Sequence, residues 1–188
     1  MIIGIVIAAI VVIIVIWLIS VYNNLVILKK RAENAWAQID VQLKRRHDLI
    51  PNLVNSVKGY MKFEKETLEN VIKARSAAVS AKSIGDKIDK EQQLQGALGR
   101  LLAVFERYPD LKANQNVQTL MGELSETEDK ISYSRQFYND SVTKFNTKIE
   151  IFPNSIVANM FSAKFEAMPL FELKDAAQRE APKVDLSF

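Results

Sequence analysis

Apolar and polar positions divide the chain into two unlike parts. Of the first 28 residues, 24 are apolar and none is charged. Residues 2–19 read IIGIVIAAIVVIIVIWLI, interrupted only by Gly4. A helix needs about 20 residues to cross a ~30 Å hydrocarbon core, and this run, continued through Ser20, Val21 and Tyr22, is long enough. Trp17 and Tyr22 suit the membrane–water boundary, where amphipathic rings collect. A cleaved secretory signal would need a basic start, an apolar stretch of about 7–15 residues and a small-residue cleavage site. No basic residue precedes this run, it is too long, and no A-x-A tripeptide closes it. The pattern predicts a retained membrane anchor over residues 1–22.

Beyond the anchor, apolar residues recur in steps of three and four, the mark of amphipathic helices. A first series runs Leu28, Ala32, Ala35/Trp36, Ile39, Leu43, Ile50, Leu53/Val54, Val57, Tyr60/Met61, Leu68, Val71/Ile72 and Ala78/Val79. Pro51 interrupts it chemically, because proline lacks an N–H and crowds the preceding turn. Either the helix kinks there or Asp48 caps a new one; the unbroken phase of the stripe favours the kink. Gly85-Asp86 offers a turn. A shorter helix with Leu94, Ala97/Leu98, Leu101 and Val104/Phe105 then stops at Tyr108, before Pro109. Asn114 or Asn116 caps a long helix carrying Val117, Leu120/Met121, Leu124, Ile131, Tyr138, Val142, Phe145 and Ile149. Pro153 ends that helix, and a short segment from Ile156 to about Phe165 follows. Nothing alternates as strands do. The expected fold class is all-α: one N-terminal transmembrane helix, an antiparallel helical bundle with long uneven helices over 23–166, and a largely irregular tail over 167–188. Unbroken, residues 22–80 would span roughly 90 Å, against roughly 25 Å for residues 92–108. That mismatch predicts that Pro51 folds the helix back or that a second copy covers it.

Charge adds direction. The 25 Lys and Arg and 22 Asp and Glu residues all follow residue 28 and leave a net charge of +3. Lys29, Lys30 and Arg31, with Lys44, Arg45 and Arg46 beyond them, flank the anchor on one side, which predicts an outside N-terminus and a cytoplasmic body. With a span directly before it, this basic cluster reads as a contact for anionic headgroups rather than nucleic acid.

Chemistry is sparse. There is no cysteine and one histidine, which removes disulfides, thiolate zinc sites and cysteine nucleophiles. Residues 44–47 read Lys-Arg-Arg-His, so His47 lacks the Glu-x-x-His context of a di-iron bundle and reads as a surface or interhelical polar residue. No phosphate-binding or nucleophile-elbow motif occurs. Acidic clusters at Glu64, Glu66 and Glu69 and at Glu123, Glu126, Glu128 and Asp129 read as solvated helix faces. No catalytic residue, cofactor or metal is expected. Four charged residues fall in stripe phase: Arg46, Arg75, Glu128 and Arg135. Facing a core they must pair, as Arg75–Glu128 or Arg46–Glu128; at the stripe's edge they would snorkel to water.

The blocks IDVQLKRRHDLIPNLV within residues 22–75, YPDLKANQN within residues 108–153, and the closing Phe171-Glu172 together resemble the LemA family. Phe63, where many members carry histidine, and Met168-Pro169-Leu170 depart from its pattern. The resemblance implies a bacterial inner-membrane protein with an outside N-terminus, a cytoplasmic helical bundle and no catalytic site. Some members take part in organising magnetosome membranes, and family genes often neighbour those of a membrane metalloprotease. The expected role is therefore a membrane-anchored, non-enzymatic scaffold that touches the lipid bilayer and forms a homo-oligomer. The alternative is an accessory subunit partnered with a membrane enzyme. Gly4 and Ala8 form a small-xxx-small pair that would let anchors approach. Trp36, Tyr60, Met61 and Phe63, read as lying along the membrane-proximal helix, are candidates for packing or intersubunit contact.

Overall fold

A computed structural model describes residues 1–61 and 63–172; residues 173–188, which hold the end of the expected irregular tail, lie outside the described residues. Among the described residues six helices follow in order: α1 (Ile2–Val57), α2 (Lys65–Ser80), α3 (Ile84–Phe105), α4 (Pro109–Ala113), α5 (Gln115–Glu150) and α6 (Asn154–Met160). Among the described residues there is no strand.

α1 combines the anchor and the first bundle helix in one rod of 56 residues, ~84 Å at 1.5 Å per residue. It runs through Pro51 without a break, so Pro51 does not fold the chain back. The reversal comes at residues 58–64, and the long first stripe belongs to two helices, not one. A proline inside a helix leaves the carbonyl four residues earlier without its N–H donor. Here that carbonyl belongs to His47, and Arg75 Nε from α2 donates to it at 2.6 Å. Arg75 thus pairs with the backbone defect of Pro51 and not with Glu128.

α5 lies antiparallel along α1: Leu25 clusters with Phe145, the Trp36 and Tyr138 rings meet edge-on at 5.3 Å, and Arg46 meets Glu128. α2 descends beside the far half of α1, and α3 climbs again, with Lys87 reaching Asp40 and Glu91 reaching Arg46. From Tyr22 onward the 36 residues of α1 face the 36 residues of α5. The length mismatch read from the sequence is therefore met within one chain, and it gives no reason of its own for a second copy.

Two boundaries are also corrected. Gly85 is no turn: Ser83 caps α3, its hydroxyl accepting from Asp86 N at 3.1 Å, so Gly85 lies in the first helical turn. α3 ends at Phe105, and Pro109 opens the five-residue α4 at the position where proline is tolerated. Asn114 caps α5 by accepting from the N–H groups of Asn116 and Val117. The short segment is confined to α6, and residues 161–172 after it are irregular but hydrogen-bonded to α5. Asn146 accepts from Met168 N and donates to Met168 O; Asn139 does the same for Phe171. Tyr138 donates to the Pro169 carbonyl at 2.7 Å; burial pushes its hydroxyl up to about 12. Residues 168–171 are strapped to α5 by amide side chains that each mimic a strand pairing.

The Pro51–Arg75 relation makes a direct prediction. Arg75→Ala should cost about 2 kcal/mol, the range of a hydrogen bond from a charged donor. In a Pro51→Ala background, where residue 51 regains its N–H, the same change should cost about 1 kcal/mol less. Denaturant unfolding of the four variants gives the coupling; additive costs would refute the relation.

Candidate functional site

Three apolar clusters stack along the bundle, and a charged layer separates the two farther from the anchor. On α1 the layer lies between Leu43 and Leu49, on α3 between Ile88 and Leu94, on α5 between Leu124 and Ile131. Arg46 stands at its centre, 2% exposed. Its Nη2 pairs with Glu91 Oε2, and its Nη1 donates to Glu128 Oε2 at 2.6 Å. His47 Nε2 lies 2.6 Å from Glu91 Oε1, and Gln95 donates to Glu128 Oε1 at 3.1 Å. Two adjacent residues of α1 thereby hold one buried carboxylate of α3, and Arg46 also reaches across to α5.

The electrostatics follow from this enclosure. Burial pushes the Glu91 carboxyl up, but the hydrogen bond from His47 and the charge of Arg46 together outweigh it and hold Glu91 below its ordinary 4.5. Glu126, exposed on the outer side, is held low by Lys130 and then by Arg45. Arg46 Nε and, one turn earlier, Gln42 Oε1 are buried without a hydrogen-bond partner among the described residues. Arg46 also floors a groove of about 1100 Å³ between α3 and α5, walled by Gln92, Gly96, Leu98, Leu124 and Glu128. Its charges are largely answered by one another, which suits a register lock better than acid–base work.

The other sequence candidates fall elsewhere. Arg135 lies over the Phe171 ring at 5.5 Å from its centroid, a cation–π contact on the strap. Trp36 is buried against Tyr138 and Phe171, and Met61 is buried in the far cluster. Tyr60 and Phe63 lie in the turn between α1 and α2, exposed, with Asn114 Nδ2 donating to the Tyr60 hydroxyl at 3.4 Å. Tyr60, Met61 and Phe63 thus mark the end of the bundle farthest from the anchor, not the membrane-proximal helix. At the near end Trp17 and Tyr22 pack on the α6 cluster, and Lys164 donates to the Tyr22 hydroxyl at 2.6 Å. Lys29 and Lys30 pair with Glu33, and Arg31 is exposed. The sequence reading pairs neither Glu91 with Arg46 nor His47 with Glu91. The signal was present: Ile88, Glu91, Leu94 and Leu98 keep helical spacing once α3 begins at Ile84.

Because Glu91 is held low when folded, its contribution to stability is full above its ordinary value. It is lost as pH falls below about 4.5 and through the folded value. Glu91→Gln should cost about 3 kcal/mol at neutral pH, by leaving Arg46 half-answered, and should flatten the acid limb of stability. Unfolding in detergent at pH 7 and at pH 3.5 tests both; an unchanged acid limb would remove the assignment.

Among the described residues a single helix, α1, is long and apolar enough to cross a membrane. The sequence profile of the LemA family matches residues 35–186. Protein LemA of Metamycoplasma hominis is 33% identical over 139 residues, 72% of this chain and 63% of that protein. Magnetosome protein MamQ 2 of Paramagnetospirillum magneticum is 25% identical over 181 residues, 82% of this chain and 66% of that protein. Magnetosome protein MamQ of Magnetospirillum gryphiswaldense is 25% identical over 158 residues, covering 70% of this chain and 58% of its own length. The chain thus spans somewhat under two thirds of the length of these curated relatives. With a charged layer locking an antiparallel bundle onto a membrane-length helix, and a profile match over most of its length, the chain belongs to the LemA family.

Proposed function

We propose that this chain is a membrane-anchored, non-enzymatic helical scaffold that acts through contacts, including contacts with further copies of itself. The observation that carries the reading is the surface of α1. Its residues 2–16 are exposed throughout, and the same helix then becomes the spine of the bundle. Fifteen apolar or small residues without protein cover want lipid, or lipid and another anchor. The relatives named for magnetosomes, which are membrane organelles, support a role at a membrane surface.

The basic residues favour an outside N-terminus and a bundle in the cytoplasm at the bacterial inner membrane, but fewer of them bear on it than the sequence suggests. Lys29, Lys30 and Arg31 lie within about 14 Å of Tyr22 along α1. Arg46 is about 36 Å away and buried in the charged layer, and Lys44 and Arg45 are equally remote. At a Debye length of about 8 Å such charges have little part in headgroup attraction.

Self-contact has its own surface. Tyr133 and Phe137, one turn apart on α5, are 76% and 48% exposed, and Val41 of α1 is 63% exposed. The Trp36–Tyr138 and Arg46–Glu128 contacts fix the α1–α5 register and place Val41 at the same height as Tyr133. Size-exclusion chromatography with light scattering in mild detergent should give a defined homo-oligomer, and Tyr133→Glu with Phe137→Glu should shift it towards monomer. A monodisperse monomer at every concentration would overturn self-assembly.

A further inference from the structure

The connection after α5 and the short α6 carry an apolar stripe that the bundle leaves uncovered. Phe152, Ile156 and Met160 are 80%, 48% and 65% exposed. Ile156 and Met160, four apart, share one side of α6, and Phe152 lies in the turn that leads into it. The opposite side, with Val157 and Ala158, is buried against Leu25 and Phe145. Polar Ser155 and Asn159 lie between, so the segment is two-faced, and the outward face is apolar where a water-facing helix would be polar.

The height of this stripe is fixed by its neighbours on α1. The Tyr22 ring meets Phe161 and Phe165 edge-on, at 5.0 and 5.6 Å between centroids. Trp17, Leu18 and Val21 pack on the same cluster. From Ile2 to Tyr22 the helix rises ~30 Å, the thickness of the hydrocarbon core. α6 therefore flanks α1 where the span ends. Two lysines lie beside the same cluster: Lys29 donates to the Lys164 carbonyl at 2.6 Å, and Lys164 Nζ stands 4.9 Å from the Tyr22 ring centroid. Long basic side chains around an apolar stripe are what a helix lying in the headgroup region carries.

We propose that α6 and the turn before it are a second membrane attachment, an interfacial collar in which Phe152, Ile156 and Met160 enter the boundary between headgroups and acyl chains. The occupant of the stripe is lipid. A lone span leaves the bundle free to rotate and tilt about its anchor, whereas a collar on one side of α1 sets which face of the bundle meets the bilayer. The proposal rests on the anchor reading of residues 2–22.

The chain has no cysteine, so single-cysteine variants can carry an environment-sensitive nitrobenzoxadiazole dye at chosen sites. Four full-length variants, Ile10→Cys, Phe152→Cys, Met160→Cys and Phe63→Cys, would be labelled and reconstituted into phosphatidylcholine–phosphatidylglycerol vesicles with shallow or deep spin-labelled lipid. The collar predicts that positions 152 and 160 are quenched several-fold more by shallow than by deep spin label. Position 10 is quenched best by the deep label, and position 63 by neither. Quenching at 10 with a wet signal at 152 and 160 overturns the collar and leaves the anchor standing. A dry but unquenched signal at 152 and 160 overturns it in favour of a second copy on the stripe. No quenching at position 10 overturns the anchor reading itself, and the collar with it.

Discussion

Removing the Arg46 guanidinium from water obliges three helices to meet at one height. A buried charge left unanswered costs several kcal/mol, and Arg46 is answered by Glu91 from α3 and Glu128 from α5. The apolar clusters above and below would tolerate sliding by a turn, since leucines and valines recur every three or four residues on each helix. The charged layer does not tolerate it: a one-turn slip moves each carboxylate by ~5.4 Å, beyond hydrogen-bond reach. Register throughout the bundle follows from this layer, including the facing of Trp36 with Tyr138 and of Leu25 with Phe145.

That register explains the division of α1. Its first 20 residues beyond Met1 match a bilayer, and its remainder matches α5 in length, so one helix serves two solvents with little left over. Continuity across the boundary has a physical condition. Pro51 would weaken the rod just past the charged layer, and Arg75 restores the missing hydrogen bond at His47. The side chain that repairs the helix comes from α2, and this ties the returning helix to the same level as the ion pairs.

Much of this was legible in the sequence. Period-three-and-four stripes carried the all-α class, and the run at residues 2–19 carried the apolar helix. The Arg46–Glu128 contact was one of two pairings left open by stripe phase; the geometry joins that pair and takes Arg75 elsewhere. What escaped had a physical reason in each case. The Pro51 reading failed because a proline's cost depends on who donates to the stranded carbonyl, a tertiary matter. Glu91 escaped because Gly85-Asp86 reads locally as a turn, and a helix begun too late hides a residue about two turns from the true start at Ile84. Asn139 and Asn146, seven apart on α5, read as ordinary solvated polar positions because their partners are backbone groups with no sequence signature.

Those two asparagines also bear on how the near and far ends of the bundle are connected. Each offers one donor and one acceptor in the geometry of a peptide group, so residues 168 and 171 are paired at both N–H and C=O without any strand. The strap begins at Phe165, packed on Tyr22 beside the anchor, and reaches Glu172, whose carbonyl accepts from Gln92 at the charged layer's groove. Phe171 lies between Trp36 and Arg135 along the way. A segment fixed at the membrane end by aromatic packing and at the groove by hydrogen bonds cannot shift at one end without straining the other. The aromatic packing around Tyr22 is therefore joined, through residues 166–172 and through α1 itself, to the helices that Arg46 holds in register.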